Sequence, residues 1–562
     1  MSSNTSDTAG AMDFAPLLEG VNFTDVADAI RLALGPMQHW FDREHGGLPF
    51  FGNIMSGPTP GNTHHTSFSM SHIPGRWLGA LLNAEDVLGE KVDEAAIANL
   101  RHWLVRSLDN RMGLPACLNL SSFEAIPVSD LHNLREVMHG LSALCLFRGD
   151  EECAQLGERL IATVDRYLDF ETGDWDEERF HAERGGRTFY SAYELVAPFG
   201  IDRQAWMHGQ YFPRTFGRYL GAVVHFYIAT GSQTALTQAL RLGALLVNRT
   251  FRDATGYDVT TLGPHTHSVT SSLSGLARLA AVTNDATLFD HLERFLERVI
   301  PPIATDFGWC TEGYNRTDAY GEVNNSADLV ECYLKLALAG RQRFFLNAEK
   351  IVRSHILPSQ LRDTRFIKGP NAEALSTFSR GAFGFPCPYG LVDEAGGWIS
   401  FNWDITGGGV SGLCEVLRAA VTSTGNDACE ILSVNMPFDG SHHGVSLSSP
   451  YANGGTLRIT TDRPCGLRIR LFDWCAEAQV ASASNGDVQT LRMGDWLYVT
   501  GARAGTAIDI ACQLRASQST YTIKSETIEA RWSGAQITGM RTERKRPLRF
   551  IPPAAGETSS GR

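Results

Sequence analysis

The feature that most limits how this chain can fold is a helix–turn–helix pattern that recurs along most of its length. In ALCLFRGDEECAQLGERLIATV, FYIATGSQTALTQALRLGALLV and LARLAAVTNDATLFDHLERFLERVI, apolar residues recur at spacings of three and four on both sides of a short polar turn. The turns contain Gly, Asn or Asp, which favour helix ends. The repetition predicts a degenerate array of helical hairpins.

The periodicity predicts twelve helices whose connections alternate in length. The helices are expected near 22–43, 77–90, 94–108, 132–148, 151–168, 213–231, 233–250, 266–283, 285–300, 325–340, 342–358 and 408–422. Connections at about 91–93, 149–150, 232, 284 and 341 are very short, whereas those at 44–76, 109–131, 169–212, 251–265, 301–324 and 359–407 are long. In an up-and-down array the long connections all emerge at one end, here called the rim, and twelve such helices closed in a ring form an (α/α)6 barrel. The helix after each long connection is then an inner helix that begins at the rim.

The pattern changes after about residue 425. Runs such as TLRITTD, LRIRLFDW and DWLYVT alternate apolar and polar residues between Gly, Asp and Asn, as half-buried strands do. We predict an N-terminal tail over 1–20, a barrel over 21–425, a β-sandwich over 426–540 and a C-terminal tail over 541–562.

Charge and cysteine usage narrow the class of partner. The 562 residues carry a formal net charge of −13, which disfavours nucleic acid as a general partner but permits a local basic pocket for an anionic sugar. The N-terminal residues lack a basic segment followed by an apolar run, and no apolar stretch is long enough to span a bilayer. Eleven scattered cysteines without a CxxC pair indicate reduced thiols. We therefore expect a cytoplasmic protein with no membrane or nucleic-acid partner, and the sequence leaves a homodimer open.

The long connections concentrate histidines, arginines, carboxylates and aromatic residues. Each residue alone has an ordinary structural explanation, because a single histidine before a helix more often caps it or bonds within the core. Together they favour sugar binding, since rings stack on C–H faces while polar groups pair with hydroxyls. The candidate substrate-binding residues are His72, Arg76, Glu136, His139, His208, His267, Trp309, Tyr314, Asn324 and Trp403.

One stretch, TEGYNRTDAYGE at 311–322, holds two glutamates, an aspartate, an arginine and two tyrosines directly before the apolar segment VNNSADLVECYLKLALAG. A solvated loop with a helix cap would explain it. A catalytic rim is the alternative, and it predicts that Glu322 and Asn324 lie at the start of an inner helix and face the barrel interior.

Four segments resemble, in order and spacing, the β-L-arabinofuranosidase-like glycoside hydrolases. These segments are SMSHIPGRWLGALLNAEDVLG, SLDNRMGLPACLN, THSVTSSLSGLARLAAVTND and TDAYGEVNNSADLVECYLKLALAG, and the resemblance covers most of residues 65–440. It implies an (α/α)6 barrel with a β-sandwich and glycosidase activity. It also implies that Glu322 matches a zinc-binding glutamate, Glu312 the acid/base and His267 a histidine of the sugar pocket.

The same comparison shows departures from that family. Asn324 stands where the family has a zinc-binding cysteine, and the later Cys-Cys motif that supplies the nucleophile is missing. Asp404 of DITGG falls near the nucleophile position, and the isolated Cys387 is an alternative match. Zinc needs three or four ligands, so we predict no metal and no cofactor. Carboxylate chemistry remains, with Glu312 as general acid, Asp404 as nucleophile or base, and Glu322 in reserve for either role.

Three functions remain open from the sequence. The first is an exo-acting glycoside hydrolase acting on a furanoside or on an oligosaccharide containing uronic acid. The second is a polysaccharide lyase, in which Tyr314 or His267 removes a proton next to a uronate carboxylate that Arg76 or Asn325 neutralises. The third is a carbohydrate-binding protein without catalytic activity.

Overall fold

The computed structural model describes residues 21–54, 63–189, 213–252, 256–314, 321–365, 367, 371–384, 400–425, 430–471, 475–484, 488–523 and 526–543. A helical array fills the first part of the chain, and strands fill the part after residue 420. The predicted N-terminal tail and residues 544–562 lie outside the described residues.

Twelve helices correspond to the twelve that the periodicity predicts. They are α1 Val26–His39, α2 His72–Leu88, α3 Glu94–Leu108, α4 Leu134–Arg148, α5 Glu151–Tyr167, α6 Arg218–Thr230, α7 Gln233–Leu245, α8 Thr266–Thr283, α9 Ala286–Val299, α10 Val323–Leu338, α11 Phe344–Ile351 and α12 Trp403–Ala420. Aspartate or serine side chains cap many of their N-termini, and αL glycines follow several C-termini, which explains the very short turns between hairpin partners.

Six of these helices close an inner ring. α2, α4, α6, α8, α10 and α12 each pack on the next, and α12 packs back on α2. The other six lie outside them: α1 on α12 and α2, α3 on α2, α5 on α4, α7 on α6, α9 on α8 and α11 on α10. The prediction of an (α/α)6 barrel is therefore confirmed, with every long connection leading into an inner helix.

Two inner helices begin earlier than the sequence predicts. α2 begins at His72 instead of 77, because Pro74 falls in the first turn, where its missing N–H costs nothing. α12 begins at Trp403 instead of 408, so the glycine run that follows is helical and is not a loop. A Cβ on Gly407 would lie 3.0 Å from Arg76 Cγ, and one on Gly408 would overlap Asn324 Oδ1. Close packing, not flexibility, explains these glycines.

The first and last long connections are joined, and this fixes the start of α12 against α2. Strand Gly52–Ile54 pairs with both Thr63–His64 and Ser400–Asn402. Beyond that sheet, the indole Nε1 of Trp77 donates to the carbonyl of Trp403 at 2.8 Å, and both rings are fully buried. In their described parts, the long connections also contain short α-helices that the sequence did not predict, at Glu177–Arg184, Val259–Leu262 and Ala372–Ser379.

The strands after α12 form three sheets. They are β1 Val421–Thr424, β2 Ile431–Val434, β3 Gly440–His442, β4 Val445–Ser448, β5 Thr456–Thr461, β6 Cys465–Arg470, β7 Cys475–Ala483, β8 Gln489–Met493, β9 Trp496–Ala502, β10 Ala507–Leu514, β11 Ala516–Ile523, β12 Glu526–Ser533 and β13 Gln536–Thr542. Two sheets have five strands each, in the orders β1-β2-β6-β9-β8 and β3-β4-β5-β10-β7, and they share one hydrophobic core. The third sheet, β11-β12-β13, packs its apolar face on the core of the barrel. The domain boundaries at 425 and 540 stay predictions.

Buried polar contacts join the β region to the barrel. Arg353 is fully buried and pairs with Glu349 at 2.9 Å, while its other nitrogens donate to the carbonyls of Phe23 and Pro437. Among the described helices, none combines the length and the apolar character needed to cross a membrane.

Inner helices cross most closely where glycine faces glycine. A Cβ on Gly140 of α4 would lie 2.8 Å from the Cα of Gly75 in α2, and a Cβ on Gly275 of α8 would lie 2.8 Å from the backbone N of Gly221 in α6. Side chains cannot be accommodated at such separations, so these crossings require glycine.

We therefore predict that Gly75→Ala destabilises the barrel, by about 1–3 kcal/mol, because its Cβ would overlap the Glu136 carbonyl. Gly79→Ala in the same helix is the matched control. Its Cβ would meet nothing nearer than 3.9 Å, so helix propensity should leave it neutral or up to about 1 kcal/mol more stable. Denaturant unfolding of both variants is the measurement, and equal midpoints would show that the crossing tolerates a methyl group.

Candidate active site at the barrel rim

Two carboxyl groups from different inner helices share one amide donor at the rim. Glu322 immediately precedes α10, and Asp404 lies in the first turn of α12. Asn324 Nδ2 donates to Glu322 Oε1 at 2.9 Å and to Asp404 Oδ2 at 3.1 Å. The three residues are only 4%, 8% and 1% exposed for Glu322, Asp404 and Asn324. The start of an inner helix therefore brings Glu322 and Asn324 inside the barrel, beside the aspartate of another hairpin.

Asp404 is held in its ionised form. Burial alone would raise its pKa, but hydrogen bonding to His72 and the positive charges of His72 and Arg76 outweigh that effect, and the pKa lies below its ordinary value. His72 Nε2 lies 3.5 Å from Asp404 Oδ2, and its Nδ1 contacts Asn133 Oδ1 at 2.7 Å, which fixes the ring. The contact with His72 is made by Oδ2 of Asp404, the oxygen that also accepts from Asn324.

Glu322 is shifted in the opposite direction. Burial raises its pKa well above the ordinary value, and the negative charges of Glu312 and Asp404 raise it further. The hydrogen bond from Asn324 and the charge of Arg218 oppose the shift without cancelling it. Of the two neighbouring carboxyl groups, Glu322 is therefore the one that holds a proton to higher pH, and Asp404 the one that ionises at lower pH.

His267 of α8 lies between the carboxyl group of Glu322, just before α10, and that of Asp328, within α10. Its Nδ1 is 3.4 Å from Glu322 Oε1, and its Nε2 is 3.3 Å from Asp328 Oδ2. Burial and the charges of the neighbouring arginines, Arg218 first, hold its pKa well below the ordinary value. The imidazole is therefore neutral, and it lies within 3.4 Å of both carboxyl groups.

A layer of buried ion pairs lies beneath these groups. Glu136 accepts from Arg218 at 2.5 Å and from Arg135 at 3.1 Å, and Arg135 continues to Asp328 at 3.1 Å. Although burial opposes ionisation, Arg218 and the other cations hold the pKa of Glu136 well below its ordinary value. Breaking one partner of such a layer would leave an uncompensated buried charge, so the floor of the site is rigid.

Several buried polar atoms at this floor have no hydrogen-bond partner in the described part of the chain. They are Nε and Nη2 of Arg76, Oε2 of Glu136 and Oδ1 of Asn324. Buried polar groups are nearly always satisfied in folded proteins, so these atoms are suited to bind a polar ligand. Donors and acceptors occur side by side, which matches sugar hydroxyls, since each hydroxyl both donates and accepts.

The other residues that the sequence singled out lie in varied positions. The Glu312 side chain is half-buried, and its carbonyl accepts from the hydroxyl of Thr266 at the start of α8 at 3.1 Å. Tyr314 is half-buried and stacks on Tyr257, with ring centroids 4.5 Å apart. His139 lies deeper in α4 and faces His225, away from the carboxyl pair. His208 lies outside the described residues.

Two tryptophans do not offer the ring faces that the sequence interpretation required. Trp403 is fully buried against Trp40 and Trp77, and Trp309 is 7% exposed within the hydrophobic core. The prediction that the ring of Trp403 stacks on a sugar is therefore wrong, because this ring is packed in the core. The error arises because a tryptophan at a rim position can also serve to fix a helix start.

Sequence reasoning missed Asn133, Arg218 and Asp328, which orient the site groups. Asp328 follows Asn324 by four residues on the inner face of α10, and Arg218 is the first residue of α6. The signal was present as polar residues at helical spacing within apolar helices. These polar residues are easily overlooked, because functional residues are expected in loops more often than within helices.

The zinc site implied by the family resemblance does not fit the residues present. Asn324 and Asp404 stand at positions where that family has cysteines, and Cys387 lies outside the described residues. Two groups in the described residues have potential ligand atoms within 4.8 Å of one another: Asp42 with His45 and His65, and His265 with His267 and Glu322. In the second group, both ring nitrogens of His267 already face carboxyl groups. We therefore derive no step through a metal.

Comparison with known proteins supports the fold. No family model matches the sequence, and no curated protein matches it. Among solved structures, a GH127 β-arabinofuranosidase matches with a TM-score of 0.54 and 13% identity over 93% of this chain and 85% of that one. A GH127 β-L-arabinofuranosidase from Geobacillus stearothermophilus T6 gives 0.52 and 11% over 92% and 86%, and a structure described as a glycoside hydrolase gives 0.50 and 11% over 82% and 76%. This chain therefore has the six-hairpin barrel fold that the sequence motifs indicated.

We predict that activity does not depend on a metal, because carboxyl groups and an amide stand where the thiolates would be. Dialysis against EDTA should leave the turnover of a cleaved substrate unchanged, and added zinc should not raise it. Loss of activity with EDTA and recovery with zinc would contradict this prediction. His265→Gln would then test the His265, His267 and Glu322 group, with Asp42→Asn as the control for the other donor group.

Proposed function

We propose that this protein is a glycoside hydrolase in which Glu322 is the general acid and Asp404 the nucleophile. The observation that carries the proposal is the shared amide of Asn324, which bonds to two buried carboxyl groups whose pKa values are shifted in opposite directions. Most glycosidases use such a pair, with one carboxyl protonating the leaving oxygen while the other acts at the anomeric carbon.

The shared donor also limits the distance between the two groups. Oε1 of Glu322 and Oδ2 of Asp404 accept from the same nitrogen at 2.9 and 3.1 Å. These two oxygens therefore lie no more than about 6 Å apart, which suits the separation of about 5–5.5 Å in retaining enzymes better than about 6.5–9.5 Å in inverting enzymes. We infer a retaining, two-step reaction.

In the first step, a carboxylate oxygen of Asp404 forms a bond to the anomeric carbon as the glycosidic C–O bond breaks. The proton of Glu322 passes to the leaving oxygen, which departs as an alcohol. In the second step, the Glu322 carboxylate takes a proton from a water molecule. The oxygen of that water bonds to the anomeric carbon as the bond between this carbon and Asp404 breaks. Both carboxyl groups return to their starting forms.

Glu312 is the alternative acid, as the family resemblance implies. Its negative charge contributes to the raised pKa of Glu322, so the two groups lie near enough to interact. We assign the proton to Glu322 because it is the buried member that contacts Asn324. In this assignment Glu312 keeps Glu322 protonated between turnovers.

Furanosides are the first substrate class to test. The two structures with the highest TM-scores among those described above are β-arabinofuranosidases, and the buried donors and acceptors of the floor suit several hydroxyls. An oligosaccharide with a uronic acid is the second class, since the guanidinium of Arg76 could pair with a carboxylate. An exo-acting mode and a cytoplasmic location, which the sequence favours, complete the proposal.

Loss of the acid should depend on the leaving group. Glu322→Gln should lower kcat/KM on a natural glycoside by about two to four orders of magnitude, because the leaving oxygen is no longer protonated. The loss should shrink on an aryl glycoside with a good leaving group. Glu312→Gln should cost much less on both substrates, and the reverse ranking would transfer the acid role to Glu312.

The decrease in rate on removal of the nucleophile should not depend on the leaving group in this way. Asp404→Asn should lower turnover by about six orders of magnitude on every substrate, as removal of the nucleophilic serine does in a serine protease. Glu85→Gln is the matched control, because Glu85 is a largely buried carboxylate near the opposite end of inner helix α2, bonded to Arg148 and Lys91. It should turn over at the wild-type rate.

The two pKa shifts predict a broad bell-shaped dependence of kcat/KM on pH. Asp404 must be ionised and its pKa is lowered, so activity is lost only as pH falls below the usual carboxyl range. Glu322 must be protonated and its pKa is raised, so activity is lost as pH rises through that raised value. Glu322→Gln should remove the alkaline limb measured with an activated substrate. An alkaline limb that persists in this variant would assign it to another group.

A screen of the purified protein against aryl furanosides, pyranosides and uronides separates the three functions. A hydrolase releases a free sugar without new absorbance from a C=C bond. A lyase would give an unsaturated, UV-absorbing product from a uronide. Binding without turnover, unchanged in Asp404→Asn, would indicate a carbohydrate-binding protein.

A further inference from the structure

A second cavity lies along the barrel axis below the rim site. It has a volume of about 600 Å³, which is within the range of small-molecule sites, and all six inner helices contribute to its wall. Its upper end is formed by Arg76, Arg135, Asp328 and Gly408, the residues beneath the carboxyl pair. From there it extends toward the C-terminal ends of the inner helices, the end opposite to the rim. The ion-pair layer of Arg135 and Asp328 thus lies between the two sites.

The wall of this cavity has an excess of positive charge. Five cations and four carboxylates line it: Arg76, Arg135, Arg278, Lys335 and Arg418, with Asp86, Asp328, Glu331 and Glu415. Each carboxylate already has a cationic partner at 2.7 to 3.1 Å, in the pairs Asp86–Arg418, Asp328–Arg135, Glu331–Arg278 and Glu415–Lys335. Arg76 is the remaining cation, and its Nε and Nη2 have no hydrogen-bond partner among the described residues although the residue is only 5% exposed. A buried, unpartnered guanidinium favours an anion.

Two histidines on the wall are also compatible with the binding of an anion. His139 and His225 face each other with their Nδ1 atoms 3.1 Å apart, and His225 also contacts Arg278. Burial lowers the pKa of each imidazole well below its ordinary value, and neighbouring cations such as Arg278 lower it further. Both rings are therefore neutral. Since His225 Nε2 accepts from Arg278 and its Nδ1–H donates to His139 Nδ1, the Nε2–H of His139 remains as the donor to an anion.

The mouth of the cavity combines large apolar side chains with the partly exposed Asp86–Arg418 pair. Leu146, Ile228 and Leu338, from three different inner helices, line it and are 50%, 49% and 48% exposed. Large aliphatic residues half-exposed around one opening are suited to an apolar group of a ligand.

We propose that this axial cavity is a second binding site, for a small amphiphilic anion with a carboxylate or phosphate head and a short apolar tail. The head lies among Arg76, Arg278 and the His139–His225 pair, and the tail lies against Leu146, Ile228 and Leu338. The entrance of this site is at the end of the barrel opposite to the rim, and Arg76 is the residue that the two sites share. A bare cation is a poor ligand here, since every lining carboxylate is already neutralised.

Calorimetric titration of the full chain with hexanoate, hexyl phosphate and 1-hexanol tests the proposal in Tris–chloride at constant ionic strength. At least one of the two anions should bind with a stoichiometry of one, and hexanol should bind at least tenfold more weakly. Comparison of the two anions distinguishes a carboxylate head from a phosphate head. Equal binding of hexanol, or no binding of either anion, would overturn the proposal.

Variants that fill or recharge the cavity locate the binding. Ser411 of α12 lines the wall, so Ser411→Phe should abolish anion binding by occupying the space, whereas Ser411→Ala should retain it. Leu338→Glu at the half-exposed mouth should weaken binding several-fold by repulsion, and Leu338→Gln, its neutral control, should not. Anion binding should persist in Asp404→Asn, which separates this site from the rim. Unchanged binding in both Ser411→Phe and Leu338→Glu would place the ligand elsewhere and refute the assignment.

Discussion

Close packing of the six inner helices is the constraint on which the other features of this structure depend. Glycine pairs at the crossings of α2 with α4 and of α6 with α8 let backbones approach to distances that no side chain permits. The same closeness brings the starts of α10 and α12 together until one amide, that of Asn324, reaches two carboxyl groups. Burial raises the pKa of Glu322, whereas His72 and Arg76 hold that of Asp404 low, so the packing of the barrel separates the ionisation of two neighbouring carboxyl groups.

Charged groups buried along the barrel axis need neighbours of opposite charge or hydrogen-bond partners, and these partners are arranged in layers. At the rim, His72, Asn324 and His267 orient the carboxyl pair. Beneath them, Glu136, Arg135, Arg218 and Asp328 form an ion-pair layer. Deeper still, three further ion pairs line the axial cavity together with Arg135 and Asp328, and they leave Arg76 as the cation in excess. Arg76 therefore belongs to both levels, since its charge also helps to keep Asp404 ionised. Occupation of the axial cavity by an anion would act on the rim through this residue.

The agreement between sequence and structure differs from element to element, for physical reasons. The twelve helices and the alternation of their connections were predicted because amphipathic periodicity and turn residues are local signals. The starts of α2 and α12 were missed, since Pro74 and the glycines at 407–409 usually interrupt helices and are tolerated here only through position and packing. Glu322, Asn324 and Asp404 were found from residue type and helix order. Trp403 was misjudged and Asp328 overlooked, because burial depends on neighbours distant in the chain.

The sequence by itself determined the number of hairpins, the order of the barrel and the strands, and the end of the barrel at which the polar connections meet. Each of these follows from spacing along the chain, which a folded environment does not alter. Only the tertiary structure decided which carboxyl group has the raised pKa, which tryptophan is packed in the core and where the axial cavity lies. Protonation depends on burial and on charges from other helices, and a cavity is the space that several helices leave between them. Such quantities are sums over residues that are neighbours in space, and the chain order of this protein does not contain them.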